Sequence, residues 1–432
     1  MSVKIYHKKN LIKLICEVLF LFLISIIATL FISLFCEIFY EFSNIAKEQI
    51  KKNTILNFLL FPLLLWISAI ICRVAGRNAS GNIIEHISNA LLILKTSPNN
   101  YQKIKHLIGF RLIIIAIISS LIATISGGSL GREGVAIFIA CGWFLSCGYY
   151  FRKFLPDINL ESWIYLGYSL GLAVAFNAPI AGIIYVCEKL IKNNSNYFFK
   201  TISLCLSVIL VVWIIIKDNK PIYNIEKINF EVSFYEFVWL SGLMIGCAII
   251  IHIFKNSSNF LYNKIAKLKG IKWHFVILFC SLLIILIGNF IGVYAIGGGI
   301  KTVNDAFGNQ DIFLGINDFF GRFITTILTF IIGSSGGIVA PSIALGAGFS
   351  SSLSLDFFSG FNLHFLMIAG MVGFLSPILA SPITAGFVIF EATRQDFSSL
   401  LILIPLSVIS YLSYQLINKF IKQLLIIKNN RQ

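Results

Sequence analysis

Charge is scarce in this chain. Only 12% of the 432 residues are Asp, Glu, Lys or Arg, against about a quarter in a soluble domain. Acidic residues are the scarcer sign, 19 against 34 Lys and Arg, for a formal net charge of +15. A string of soluble domains, which the length alone would allow, is therefore excluded. Metal-ligand spacing is missing as well. The nine Cys are scattered through apolar runs without a CxxC pair, and the six His do not pair at helical spacing. Those cysteines read as small buried hydrophobes. No GxxxxGK[ST] loop occurs, which argues against an ATP-driven pump within the chain. No basic run is interleaved with aromatics, as a nucleic-acid groove would need. The expectation is a protein without metal, cofactor or nucleic acid, and not an enzyme.

What is present is apolar: 57% of the residues are hydrophobic. Long runs with little charge cover 107–125 (apart from Arg111), 202–216, 237–253, 275–291 and 323–332. Their continuity predicts membrane helices, since barrel strands would alternate over about ten residues. The first run, 11–35, is too long for a signal-peptide core and reads as a retained helix. Lys4, Lys8, Lys9 and Lys13 precede or open it, and Lys419, Lys422, Lys428 and Arg431 lie near the other end. The positive-inside rule then places both termini in the cytoplasm with an even number of crossings. The excess positive charge has a further use in contacts with anionic headgroups of the bilayer. Lys255, Lys264, Lys267, Lys269 and Lys272 read as a cytoplasmic linker, and no soluble regulatory domain is expected after the last helix.

Other apolar segments are too short to span: 161–174, 178–190, 339–353, 365–375 and 382–390. Gly or Pro interrupts nearly all of them. Short, broken helices in corresponding places of two halves point to a substrate site near the membrane midplane. The halves echo each other. PIAGIIYVCE (179–188) and PITAGFVIFE (382–391) lie 203 residues apart, and each ends in a Glu nine residues after its Pro. SGGSLGREGVAIFIACG (126–142) faces SSGGIVAPSIALGAG (334–348) at an offset of 206 when Glu133 is matched to Val339. We expect one transmembrane unit over 1–432, with halves at about 15–216 and 231–416. Sequence alone does not show whether the repeats are inverted.

The breaks carry the chemistry. A helix N-terminus has unpaired N–H groups and about half a positive charge. Several converging N-termini hold an anion without a buried Lys or Arg, and so bind weakly enough to release it. Three stretches supply such ends: ASGNIIEHI with Ser80 and Gly81, GREGVAIF with Gly131, Glu133 and Gly134, and GGIVAP with Ile338 and Val339. Ser80 is also an ordinary helix cap by type. Glu133 is a tethered anion in this setting. It occupies a place that a permeant anion wants, and a proton would release it. Arg132 is too close in sequence for an ordinary ion pair and is expected to face the interface.

GREG before a small-residue helix, FNAPIAGIIYVCE, and GGIVAPSIALG together resemble the CLC chloride channel and transporter family. The similarity covers about residues 15–415, with the motifs in family order. It implies an all-α polytopic membrane protein of the CLC type, with two inverted repeats of tilted, incomplete helices. It also implies a homodimer with one pore per subunit, in a bacterial inner membrane, moving a monovalent anion passively or against protons. Glu133 lands on the family's gating glutamate. Ile338 and Val339 land on the pair whose N–H groups face the anion. Ser80 lands on a serine donor, and a shift of one residue would put Gly81 there.

The departures narrow the reading. Val135 follows GREG where most relatives have Pro, and Asn82 follows Gly81. Lys189 stands where proton-coupled exchangers often carry an inner acid, and it also suits a snorkelling anchor. The family's tyrosine donor has no clear counterpart: Tyr411 and Tyr414 come too early, and Phe420 and Ile421 cannot donate. These features resemble the fluoride-exporting branch. The expected function is fluoride/proton antiport; the alternative is a chloride channel or chloride/proton exchanger.

Overall fold

The computed structural model describes residues 2–429 apart from 53–54, 77–78, 97–100, 152–157, 193–197, 218–219, 229, 309–312, 355–356 and 359. The side chains of Lys4, Lys8, Lys9, Lys13 and Lys428, and Arg431 as a whole, lie outside the described residues.

The chain is almost wholly helical. In order it forms α1 (Ser2–Lys51), α2 (Ile55–Ala75), β1 (Gly81–Asn82), α3 (Ile83–Thr96), α4 (Tyr101–Lys105), α5 (Phe110–Ile125) and α6 (Arg132–Tyr150). There follow α7 (Leu160–Phe176), α8 (Pro179–Lys192), α9 (Phe198–Ile216), α10 (Phe234–Ala266), α11 (Ile271–Phe290) and α12 (Ile300–Gly308). The last elements are α13 (Ile316–Ile332), β2 (Ser335–Gly336), α14 (Val339–Ser354), α15 (Leu363–Leu379), α16 (Pro382–Thr393) and α17 (Leu400–Asn429). Among the described residues eight helices are long and apolar enough to cross a membrane. The first run lies inside α1, as expected of a retained helix.

Long and short helices have different jobs. Helices such as α1, α9, α10 and α17 expose Leu30, Leu210, Ile249 and Leu416 on their outer faces. Hydrocarbon can cover such side chains at no cost, so their exposure suits the outer surface of a membrane protein. The shorter α7, α14 and α15 are buried along almost their whole length. Their contacts depend on small residues, because lipid supplies no hydrophobic drive between helices. At Gly171 of α7 an added Cβ would stand 2.6 Å from the Ile137 Cα of α6, so only glycine permits that crossing.

The matching PIAGIIYVCE and PITAGFVIFE segments become α8 and α16. Before each, the chain turns through a left-handed residue: Asn177 at φ 50° and Ala380 at φ 51°. Glu188, near the end of α8, accepts from Ile383 N (3.0 Å) and Thr384 N (2.9 Å) at the start of α16. Glu391, near the end of α16, accepts from Ile180 N (3.0 Å) and Ala181 N (2.7 Å) at the start of α8. Each carboxylate therefore caps the unpaired N–H groups of the other helix. The exchange is possible only if α8 and α16 are antiparallel, so the repeats are inverted.

Two expectations change. Lys189 does not snorkel. Its Nζ donates to Leu379 O (3.2 Å) and Ala380 O (3.0 Å) at the end of α15, where helix carbonyls lack partners. The polar stretch after Lys255 is not a linker over its first part, because α10 stays helical to Ala266. Lys255 itself donates to Pro377 O (2.9 Å).

Candidate functional site

The three broken-helix starts meet in the interior. β1 and β2 pair in parallel, with Gly81 opposite Ser335 and Asn82 opposite Gly336. Gly131 and Gly337 pair antiparallel beside them, through Gly131 N to Gly337 O (2.7 Å) and Gly337 N to Gly131 O (3.0 Å). These few backbone bonds tie the starts of α3 and α6 to that of α14, which lies more than 200 residues from either in sequence. A Cβ added to Gly134 would stand 2.6 Å from Gly337 Cα, so glycine is required for the approach. Ser80, Gly81, Gly131, Gly134, Ile338 and Val339 thus gather at one place. The first N–H groups of α14, from Ile338 onward, have no acceptor within their own helix.

Glu133 lies in the first turn of α6 and is 1% exposed. Its carboxylate folds back over Gly131, in the space a larger residue there would fill, toward the Ala340 N–H of α14. Neither oxygen reaches full hydrogen-bond geometry with a described group, although the Glu133 N–H and the Ala340 N–H lie close enough to act on the carboxylate. Arg132 is the nearest cation, with Nε 3.9 Å from Oε1. Its guanidinium is committed elsewhere, donating to Cys36 O (3.2 Å) and Ala175 O (3.4 Å). Arg132 therefore turns into the protein, joining α1 to α7.

Two recesses flank this centre. One is lined by Ser43, Arg132, Glu133, Gly298 and Lys301. The other, of about 130 Å³, is lined by Arg73, Ser80, Tyr262, Trp273 and Gly333. Helix α11 begins at the second recess, beside Trp273, and ends shortly before Gly298 in the first. Its 20 residues at about 1.5 Å each span roughly 30 Å, a membrane's hydrocarbon thickness. The recesses therefore open toward opposite faces.

Sequence reasoning missed three parts of the site. Tyr262, on the last part of α10, places its hydroxyl 2.8 Å from Ser80 Oγ. Its ring packs beside Gly81 and Gly333, both at positive φ. Nothing local marks it, and it stands in the stretch expected to be a linker. The second part is a pair of buried basic side chains. Lys47 of α1 (3% exposed) and Arg322 of α13 (2% exposed) donate to the same Thr302 Oγ1, at 2.7 and 2.9 Å. Arg322 also donates to Gly297 O (3.0 Å) and Ile296 O (3.0 Å), beneath the Gly298 recess. Arg322 keeps its positive charge when buried, and so places a fixed cation beneath that mouth. The third is Tyr223, 0% exposed, whose hydroxyl has no hydrogen-bond partner among the described residues. Glu133, Arg132 and Arg322 lie close enough to act on it electrostatically. Its loop is pinned by Tyr223 N to Ala392 O (3.0 Å) and by Asn304 of α12, which bonds Asn224 N and Ile222 O at 2.9 Å each.

Comparison with known proteins agrees with this architecture. Residues 64–415 match the family model described as voltage gated chloride channel. The chain belongs to that family. It is 28% identical over 304 residues to the H(+)/Cl(-) exchange transporter ClcA of Yersinia pestis, covering 66% of this chain and 61% of that protein. The chain thus spans under two thirds of that relative's length. Among solved structures, a slow cyanobacterial Cl-/H+ antiporter superposes with a TM-score of 0.76 at 18% identity, over 92% of this chain and 93% of that one. A CLC-type fluoride/proton antiporter gives a TM-score of 0.76 at 17% identity, over 93% and 96%. At such identities the two structures share the fold.

Proposed function

We propose that this integral membrane protein transports a monovalent anion through the junction of α3, α6 and α14, in exchange for protons, with Glu133 as the gate. The observation that carries the reading is the Glu133 carboxylate: buried, unbonded, and lodged among helix N-termini between two recesses. An ionised carboxylate there is stabilised by the partial positive charge of α6 and α14. A permeant anion competes for the same charge. Protonation removes the carboxylate's claim, the side chain turns out toward the Ser43–Lys301 recess, and the anion takes its place. Lys301 and Arg322 raise the local anion concentration at that mouth. On the other side the Ser80 and Tyr262 hydroxyls close the path by bonding each other, and both can turn to donate to an arriving anion.

Fluoride is the first choice of substrate. It is small and strongly hydrated, and needs strong donors to replace its water; the hydroxyl pair suits that need. Val135 and the Gly81–Asn82 sequence support the same choice. Chloride is the second reading, favoured by the name of the Yersinia relative. The working unit is proposed to be a homodimer in a bacterial inner membrane, each subunit a single transmembrane unit with halves at about 15–216 and 231–416 and with its termini in the cytoplasm.

Proteoliposomes loaded with fluoride or chloride test the substrate. Faster fluoride efflux, with proton uptake in step, is expected. Equal or faster chloride efflux replaces fluoride with chloride, and no flux of either anion removes the transport reading.

A further inference from the structure

A second cavity lies away from the transport junction, where α2 ends, α4 passes into α5, and α6 ends. It measures about 510 Å³, within the range of small-molecule sites. Lys105, His106 and Arg111 line it with Tyr150, and Gly76 and Leu112 are among its apolar lining. None of its described lining residues is acidic. Lys105 and Arg111 are both exposed. The surface beside it is greasy: Val74 is 80% exposed and Phe110 57%, and Ile114 and Ile118 continue the apolar stripe along α5. A cationic recess at helix ends, opening beside a lipid-facing stripe, sits at headgroup level.

We propose that this groove seats the phosphate of an anionic phospholipid, with Lys105 and Arg111 as its charged contacts and the acyl chains along Phe110, Ile114 and Ile118. The apolar stripe is what favours a lipid over a free phosphate. A soluble anion gains nothing from it, whereas a lipid gains apolar contact along a helix turn or more. The position also suits a tether. The same groove joins α2, which carries Arg73 of one recess, to α6, which carries Glu133.

Native mass spectrometry of the purified full chain, with synthetic phosphatidylglycerol or phosphatidylcholine, tests it. Phosphatidylglycerol is expected to be retained roughly tenfold more tightly, since each nearby Lys or Arg adds appreciably to anionic-lipid attraction. Lys105→Gln and Arg111→Gln should each weaken that preference, and the double variant should lose it. Lys419→Gln, an equal charge loss elsewhere on the surface, should retain it. Equal retention of the two lipids in the wild type overturns the proposal, as does an undiminished preference in the double variant. Displacement of phosphatidylglycerol by glycerol phosphate at equal concentration also overturns it, because the groove would then be a soluble-anion site.

Discussion

Glu188 and Glu391 are carboxylates at helix N-termini inside a membrane protein, and so is Glu133. The first two are bonded to backbone N–H groups at 2.7–3.0 Å. Glu133 reaches no such bond and is more deeply buried than either. Residue type and helix polarity are shared, so the difference lies in satisfaction. A bonded carboxylate holds two helices together and gains nothing by moving. An unbonded one is held only by field and packing, and it is free to leave. A satisfied charge points to architecture, and an unsatisfied one to work.

The largest break in that comparison is Glu133→Gln. A neutral amide of the same shape cannot exchange a proton. Proton movement should fall to background in proteoliposomes, and anion flux should lose its dependence on pH. Wild-type flux should rise as pH falls, because protonation releases the gate. The melting temperature should change little, since no bond of good geometry is removed. A variant that still pumps protons in step with anions would remove Glu133 from the mechanism.

The caps should behave the opposite way. Glu391→Gln or Glu188→Gln weakens charge-assisted bonds to backbone N–H groups and should cost about 1–3 kcal/mol. The loss is read as a lower melting temperature in detergent, with the proton-to-anion ratio of the folded protein unchanged. A changed ratio at unchanged stability would mean that these glutamates transport as well as tie.

The sequence made one side of this comparison visible. Glycine clusters in apolar sequence stand out, so Gly131, Glu133 and the GGIVAP turn could be placed before any fold was known. The echo of Pro179–Glu188 in Pro382–Glu391 was visible too, but its meaning was not. A cap that reaches a helix about 200 residues away leaves no local spacing to read. Tyr262 was hidden for the same reason, 182 residues from Ser80 and inside a Lys- and Asn-rich stretch. Lys189 was misjudged because snorkelling is the usual fate of a lysine at a helix end, and its actual acceptors belong to α15. Local chemistry shows in sequence; chemistry made by packing across the two repeats does not.

Tyr262→Phe extends the comparison to the other mouth. It removes one hydroxyl from the Ser80 pair and leaves the ring packed beside Gly81 and Gly333. One lost neutral hydrogen bond is worth about 1 kcal/mol, so apparent anion affinity should fall roughly fivefold. Proton dependence should survive, because Glu133 is untouched. Affinity measured by titration calorimetry decides it: an unchanged value would leave Tyr262 a packing residue.

The smallest expected effect comes from Tyr223→Phe, and it tests the rule on a neutral group. The Tyr223 hydroxyl is fully buried and, like the Glu133 oxygens, makes no hydrogen bond of good geometry among the described residues. Leaving a buried donor unpaired costs about 1–3 kcal/mol, so removing it should leave stability unchanged or raise it. A hydroxyl that existed only for packing would then be dispensable. If the unpaired phenol instead serves Glu133 once the side chain turns, its loss destabilises the protonated, turned-out side chain. The pH dependence of flux should then move to lower pH, by a fraction of a unit, because the protonated form is relatively disfavoured. Stability and pH profile measured on one variant separate the two cases. A more stable protein with a shifted profile extends the rule from charges to dipoles, and a less stable one with an unshifted profile confines it to Glu133.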